Sequence, residues 1–171
     1  MIENTVQLRR LQPEDAPQLA ILANNKKIWD HLRDFLPHPY LETDAVEFIN
    51  STLREDPHQN FAITYKEELC GVIGIIAQED VYKKSGEVGY WIGEPYWGKG
   101  IATEAVKKIT QYGFEQLQLA RVFAGIFSFN KASMRVLEKN GFQSEGIFRN
   151  AIFKNNQLWD EHRYAKVNEA H

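Results

Sequence analysis

The chain has 171 residues, of which 43% are hydrophobic, and this length fits one globular domain rather than two. Its formal net charge is −3 and no run of lysine or arginine exceeds two residues, which argues against an extended nucleic-acid or membrane-surface footprint. The longest apolar stretch, Leu69–Ala77, is too short to span a bilayer, and Met1-Ile2-Glu3-Asn4 lacks the regions of a signal peptide. We therefore expect a cytoplasmic protein with a single domain over residues 1–171.

The spacing of apolar residues alternates between the helical period and the strand period along the chain. Two prolines around a histidine, at positions 37–39, exclude a regular helix there, whereas Thr43 is placed to cap one. The predicted elements, in chain order, are a strand at Val6–Leu11, a helix that starts near Pro13 and runs roughly to Asn24, a short helix and a surface loop within Lys26–Tyr40, a helix capped by Thr43 and running to about Asp56, strands near Phe61–Tyr65, at Leu69–Ala77 and at Glu87–Ile92, a helix after Gly100, a strand at Arg121–Phe127, a helix at Lys131–Asn140 ended by Gly141, and strands near Gln143–Phe153 and Gln157–Lys166 joined at Asn155-Asn156.

The most informative segment is the strand-to-helix junction Tyr96–Glu104, which reads Tyr-Trp-Gly-Lys-Gly-Ile-Ala-Thr-Glu. The first amides of a helix have no acceptor inside the helix and carry partial positive charge, so they favour a phosphate. Gly98 and Gly100 allow a ligand to approach the backbone closely, although glycines also serve in plain turns. The spacing does not match a P-loop, because Lys99 lies between the glycines. It does not match the dinucleotide fingerprint either, because position 103 is Thr103.

No metal site and no disulfide are indicated. Cys70 is the single cysteine and lies in an apolar run, so we expect it to be a small buried hydrophobic residue. Ser133 has no histidine nearby in sequence that suggests a catalytic triad, although a partner from elsewhere in the fold stays open. The five histidines show no pair spaced four apart and no neighbouring cysteine; they are His31, His38, His58, His162 and His171.

The order of these motifs resembles the GNAT superfamily of acyl-CoA-dependent N-acyltransferases. The resemblance rests on Gly-Lys-Gly-Ile-Ala after a strand, Asn-Lys-Ala-Ser at Asn130–Ser133, and Glu-Lys-Asn-Gly-Phe at Glu138–Phe142. Within the superfamily, Gly-Tyr-Trp-Ile before Tyr-Trp-Gly-Lys-Gly, together with Asn-x-Ala-Ser and the late Asp160, is similar to the Rim-type ribosomal-protein N-terminal acetyltransferases. The resemblance implies an α/β (α+β) fold with a mixed, mostly antiparallel central sheet of about six to seven strands flanked by helices.

The resemblance also implies that acetyl-CoA (coenzyme A) is the cofactor and that its pyrophosphate binds backbone amides at the start of the central helix. Trp97 stands where family members commonly have Gln or Arg, so we predict that it packs. Lys99 is either a phosphate contact or a solvated charge, and Asn130 contacts the pantetheine arm, caps the following helix, or does both. The predicted cofactor-binding residues are Gly98, Lys99, Gly100, Ile101, Ala102, Thr103 and Asn130.

Two residues are implied to be catalytic. Glu87 matches a position where many family members carry a base or a carboxylate that holds water, although it could be a solvated carboxylate at a strand edge. Ser133 matches the serine proposed to hold the departing sulfur in the Rim-type branch, although serine is common early in helices. The position of the tyrosine that many family members use as an acid is Leu137 here.

The acceptor site of this fold is framed by the early helices and the last hairpin, and we predict that Trp29, Asp34 and Phe35 bind the substrate. The expected reaction is direct transfer of an acetyl group from acetyl-CoA to a primary amine, either the α-amine of a peptide or protein or a small amine. The alternatives are a non-catalytic acyl-CoA-binding sensor or partner module and, more remotely, a nucleotide-dependent enzyme. We expect a monomer or homodimer without extended nucleic-acid contact and without membrane association.

Overall fold

The computed structural model describes residues 5–170; the N-terminal tetrapeptide, in which we expect no signal peptide, and His171 lie outside the described residues. Its strands are β1 Val6–Arg9, β2 Asn60–Tyr65, β3 Glu68–Ala77, β4 Ser85–Ile92, β5 Arg121–Phe127, β6 Gln143–Lys154 and β7 Gln157–Val167. Its α-helices are α1 Ala16–Ala23, α2 Lys26–Trp29, α3 Glu42–Thr52, α4 Ile101–Glu115 and α5 Lys131–Lys139.

The described residues contain one seven-stranded sheet with the strand order β1-β2-β3-β4-β5-β7-β6. The pairs β1–β2, β2–β3, β5–β7 and β6–β7 are antiparallel, whereas β4–β5 is parallel. The predicted fold class, a mixed and mostly antiparallel sheet flanked by helices, is therefore confirmed. The predicted hairpin turn is also confirmed, because Asn155 and Asn156 have φ values of 52° and 59°, the left-handed region that a tight hairpin needs.

The first of two compact units comprises residues 5–74 and Tyr90–Ala105. In it, α1 packs against α3. Small residues on both helices allow this close packing, and strands β2 and β3 supply the other side of the core. The buried residues of this cluster are Leu11, Ala16, Leu19, Ala20, Ala23, Tyr40, Ala45, Ile49, Ala62, Leu69 and Val72.

The second unit comprises Ile75–Gly89 and residues 106–170. The apolar side of α4 in this unit includes Val106 and Ile109, which are fully buried. Gly113 lies on the same side, and a Cβ added there would come within 2.5 Å of Ile75 Cδ1. A side chain at this position would therefore displace the end of the Ile75 side chain, whereas glycine leaves room for it at a cost in helix stability of about 0.5–1 kcal/mol relative to alanine.

One predicted helix start is wrong. Thr43 is not an N-cap, because α3 begins at Glu42 and its N-cap is Leu41, whose N–H donates to Asp44 Oδ2 at 2.7 Å. The acidic side chain at the third helical position thus satisfies the amide before the helix. The predicted helix that starts near Pro13 is confirmed: Pro13 opens a 3-10 turn that leads directly into α1, and Asp15 Oδ2 accepts from the Gln12 N–H at 2.8 Å.

One predicted helix end is also wrong, because α3 ends at Thr52 rather than near Asp56. The end of α5 is confirmed, since Gly141 has a φ of +79° and follows the helix directly after its C-cap Asn140. Cys70 is buried and free, as predicted. None of the helices in residues 5–170 has the length and apolar character that crossing a bilayer requires.

Candidate active site

The start of α4 follows the loop Gly98-Lys99-Gly100, whose two glycines have φ values of +73° and +74°. The carbonyl of Gly100 accepts from the Glu104 N–H at 3.2 Å, so the helical hydrogen bonds begin there and the amides of the first turn have no acceptor inside the helix. A Cβ at Gly98 or Gly100 would meet no atom within 4 Å. The backbone is therefore open to a ligand on the side that a side chain would fill, and the loop can bind an anion.

The 3-10 turn Glu94–Tyr96 holds the start of this loop in place. Glu94 accepts hydrogen bonds from the Lys27 ammonium at 2.5 Å and from the Asn25 amide at 2.6 Å. The hydrogen bond from Lys27, followed by the one from Asn25, holds the pKa of Glu94 below its ordinary value. Two residues at the start of α2, which the sequence analysis did not single out, thus anchor the turn before Gly98.

The two aromatic residues before the glycine loop contact a backbone carbonyl and a lysine side chain. Trp97 Nε1 donates to the carbonyl of Ile92 at 2.7 Å, while its ring is 45% exposed. This hydrogen bond supports a structural role for Trp97. Lys99 Nζ lies 5.4 Å from the centre of the Tyr96 ring, which places the ammonium over an aromatic face.

The predicted acceptor residues lie on the segment after α2. Trp29 is half-buried, its Nε1 donates to the carbonyl of Leu36 at 2.9 Å, and its ring centre is 5.6 Å from that of His38. Asp34 is exposed, and Phe35 is 83% exposed. Trp29 therefore fixes the loop, whereas Phe35 presents a large apolar side chain to solvent.

Glu87 lies in β4, is half-buried and pairs with Phe123 of β5. This is the last pair of the parallel ladder, which covers Ser85–Glu87 and Arg121–Phe123, although β5 continues to Phe127. Within the described residues, no ladder pair joins β4 to the second half of β5. The carboxylate is thus placed where two parallel strands stop pairing.

The structure brings Asn130 and Ser133 together at the start of α5. Asn130 is the N-cap, and its Oδ1 accepts from the Ser133 N–H at 3.2 Å. Ser133 is 9% exposed, and Leu137, one turn further on, is fully buried. The capping role of Asn130 is therefore confirmed, and Leu137 is a core residue without an acidic proton.

A charged pair on β7 was missed by the sequence analysis. Glu161 accepts from Arg163 at 2.6 Å, and the guanidinium of Arg163 lies 5.0 Å from the Phe123 ring and 4.7 Å from the Phe148 ring. A Cβ at Gly125 would come within 2.6 Å of the Glu161 carboxylate. A glycine inside a strand is a signal of such close approach, and it could have indicated this position.

Among residues 5–170, no three His, Cys, Asp or Glu side chains are grouped so that they could hold a metal ion. The candidate groups described above are the backbone amides at the start of α4, the Glu87 carboxylate at the end of a ladder and the Ser133 hydroxyl in the first turn of α5.

The sequence matches the family model described as "Acetyltransferase (GNAT) domain" over residues 5–143. The Bacillus subtilis (strain 168) protein named "Putative ribosomal N-acetyltransferase YdaF" is 31% identical over 169 residues, covering 93% of this chain and 89% of its own length. Spermidine N(1)-acetyltransferase of Escherichia coli is 26% identical over 155 residues, covering 90% of this chain and 81% of its own length. The solved structure of RimL, a ribosomal alpha-N-protein acetyltransferase in complex with coenzyme A, is similar in fold with a TM-score of 0.87 and 22% identity, covering 100% of this chain and 98% of that chain.

The family match spans well over half of the chain, so the chain belongs to the GNAT acetyltransferase family. It is an acetyl-CoA-dependent N-acetyltransferase, and acetyl-CoA is its co-substrate. The resemblance to the Rim type is confirmed by the similarity to YdaF and, at the level of the fold, to RimL.

Proposed function

We propose that the chain acetylates the α-amine at the N-terminus of a peptide or protein. The observation that carries the proposal is the half-buried Glu87 at the last pair of the β4–β5 ladder, a single carboxylate suited to weak-base catalysis. An α-amino group with a pKa near 7.7–8.0 needs only about 1 kcal/mol to lose its proton at pH 7, whereas a lysine side chain needs about 4–5 kcal/mol. The similarity to YdaF, at 31% identity, supports a protein acceptor, because that relative is named "Putative ribosomal N-acetyltransferase".

For the co-substrate, we propose that the amides from Gly98 to Thr103 hold the diphosphate of acetyl-CoA. Each hydrogen bond to a charged group contributes on the order of 1.5–3 kcal/mol, so several of them support micromolar binding once the entropy of association is subtracted. When bound, acetyl-CoA supplies the thioester that accepts the amine. Lys99 adds a nearby positive charge, and Asn130 combines its capping role with a contact to the pantetheine arm.

For catalysis, Glu87 accepts the proton of the attacking amine, either directly or through a water molecule. Ser133 donates its hydroxyl hydrogen to the sulfur as the thiol leaves. A thiol has a pKa near 8.5, so its anion is a tolerable leaving group and a hydroxyl is sufficient where the family tyrosine is replaced by Leu137.

For acceptor binding, Phe35 offers an exposed ring to an apolar side chain of the peptide, and Asp34 attracts its positive charge. Trp29 keeps the loop that carries both residues in shape through its hydrogen bond to Leu36. We further propose that one N-acetyltransferase domain spans residues 1–171. The cytoplasmic location and the monomeric or homodimeric state stay predictions.

The test is an acceptor panel with acetyl-CoA, read out by thiol release and by mass spectrometry of the products. The panel contains peptides with a free N-terminus and no lysine, the same peptides with a blocked N-terminus and one internal lysine, and spermidine. We expect turnover on the first set and little on the others. Turnover on spermidine alone would reject the α-amine, and binding of acetyl-CoA without turnover on any amine would favour a non-catalytic acyl-CoA-binding module.

A further inference from the structure

A groove of about 560 Å³ lies in the second compact unit, beside the C-terminal half of α4. Its lining contains neither Glu87 nor Ser133, so it is separate from the catalytic residues proposed for that unit. The volume lies within the range of sites that bind small molecules. The groove therefore has the size for a metabolite and no part in the acetyl transfer proposed above.

Thr110 lines this groove and is 4% exposed. Its hydroxyl oxygen is buried and has no hydrogen-bond partner among residues 5–170. A threonine inside a helix commonly bonds the carbonyl one turn earlier, and buried hydroxyls in native proteins nearly always have a partner. A bound molecule that offers an acceptor would complete the hydrogen bonding of Thr110.

The charged groups of the groove favour an anion. Lys107 and Lys166 each contribute an ammonium group, whereas Glu115 contributes a carboxylate. The Lys166 ammonium donates to the Asn140 carbonyl at 2.8 Å, which leaves two of its three donors for a ligand. Lys107 makes no ion pair with any residue in the described part of the chain.

The remaining lining residues extend the site beyond a single ion. Phe114 offers an aromatic surface, and Asn168 offers an amide. Glu115 is already engaged, because its Oε1 accepts from the Gln111 amide at 2.9 Å. An inorganic ion would use the ammonium groups and leave most of this volume and the aromatic surface without contacts.

We propose that this groove binds a small organic anion that carries a phosphate or carboxylate group together with hydroxyl groups. The anionic group pairs with the ammonium groups of Lys107 and Lys166, and the Thr110 hydroxyl donates a hydrogen bond to the same molecule. The rest of the ligand packs on Phe114.

Isothermal titration calorimetry of the full chain, performed in the presence of coenzyme A, tests this site. Citrate and glucose 6-phosphate are the two anionic probes and separate the carboxylate source from the phosphate source, while glucose and spermidine are the neutral and cationic controls. We expect at least one anionic probe to bind and neither control to bind. Failure of both anions, or binding of glucose or spermidine with equal strength, would overturn the proposal.

Substitutions of single lining residues test whether the anionic probe binds in this groove. Lys107→Gln and Thr110→Val should each weaken binding of the anionic probe by about tenfold or more, which is the effect of losing one hydrogen bond to a charged group. Lys108→Gln is the matched control, because Lys108 is an exposed lysine of the same helix that does not line the groove. It should change the affinity by less than about twofold. Equal losses for Lys107→Gln and Lys108→Gln, or an unchanged affinity for a folded Thr110→Val protein, would contradict the assignment.

Discussion

Replacing Gly100 by alanine separates the strain of the loop from its role in binding. Gly100 has a φ of +74°, and a residue with a Cβ in the left-handed region costs roughly 1–2 kcal/mol. For a chain of this size that corresponds to a decrease in Tm of about 2–8 °C. No atom lies within 4 Å of the added Cβ, so the strain comes from the backbone alone and the protein should fold.

In the proposed binding mode, the same Cβ fills space through which a diphosphate would reach the amides of the loop. Loss of one hydrogen bond to the charged phosphate removes on the order of 1.5–3 kcal/mol, which corresponds to a roughly 10- to 100-fold increase in Kd. Because the diphosphate is bound both before and during the reaction, we expect KM for acetyl-CoA to rise with little change in kcat.

The assay is calorimetric titration with coenzyme A and with acetyl-CoA, together with a thermal unfolding curve. Gly141→Ala is the matched control, because Gly141 has a φ of +79° at the end of α5 and only ordinary contacts, at 3.7–3.8 Å from Lys166, around an added Cβ. Both variants should lose similar stability, but only Gly100→Ala should lose affinity. Unchanged binding in Gly100→Ala, or an equal loss in Gly141→Ala, would refute the reasoning.

Three further predictions concern single side chains. Glu87→Gln should lower kcat by about 10²-fold or more at pH 7 with an unchanged Kd for acetyl-CoA, and the deficit should shrink above pH 8, where an α-amine is already neutral. Asn130→Ala should lower the free energy of unfolding by about 1 kcal/mol, since the Ser133 amide loses its acceptor, whereas Asn130→Asp should retain the cap. Burial raises the pKa of the Cys70 thiol from 9.0 to about 12, so the folded protein should resist iodoacetamide at pH 8 and react once unfolded. Because the folded state favours the protonated thiol, its contribution to stability is complete below pH 9 and declines between pH 9 and about 12.

Each of these predictions has its own control. Glu47→Gln changes an exposed glutamate of α3 and should leave kcat unaltered at every pH. Equal kcat in Glu87→Gln and the unsubstituted protein at pH 7 would rule out a role as base. Identical unfolding of Asn130→Ala and Asn130→Asp, measured by chemical denaturation, would show that the cap is not the source of the stability. Rapid alkylation of Cys70 in the folded protein would contradict its burial.

Local sequence patterns predicted most of the elements because those patterns arise from nearest neighbours. The strand Arg121–Phe127 and the left-handed Gly141 were predicted as they are found, since strand period and glycine conformational freedom are local properties. The start of α3 was missed because Asp44, rather than Thr43, supplies the capping oxygen. Both side chains can act as caps, and the sequence alone does not say which one reaches the amide.

Long-range contacts in the candidate site could not be predicted from the sequence. The hydrogen bonds from Asn25 and Lys27 to Glu94 join residues nearly seventy positions apart, with separations of 69 and 67. No hydrophobic period and no sequence motif marks Asn25, Lys27 and Glu94 as partners. The groove beside α4 was not predicted for the same reason. Thr110 lies at an apolar position of the helix, and the sequence does not show that its hydroxyl is buried without a hydrogen-bond partner among residues 5–170. By contrast, the predicted phosphate-binding loop Gly98–Gly100 could be recognised in the sequence, because its residues are consecutive.

The central claim is that main-chain amides at the start of α4 hold the diphosphate of the co-substrate. A crystal structure of the chain with coenzyme A tests it most directly. We expect diphosphate oxygens within about 3 Å of amide nitrogens in the segment from Gly98 to Thr103. A diphosphate bound to other residues, with this segment in contact with solvent only, would contradict it.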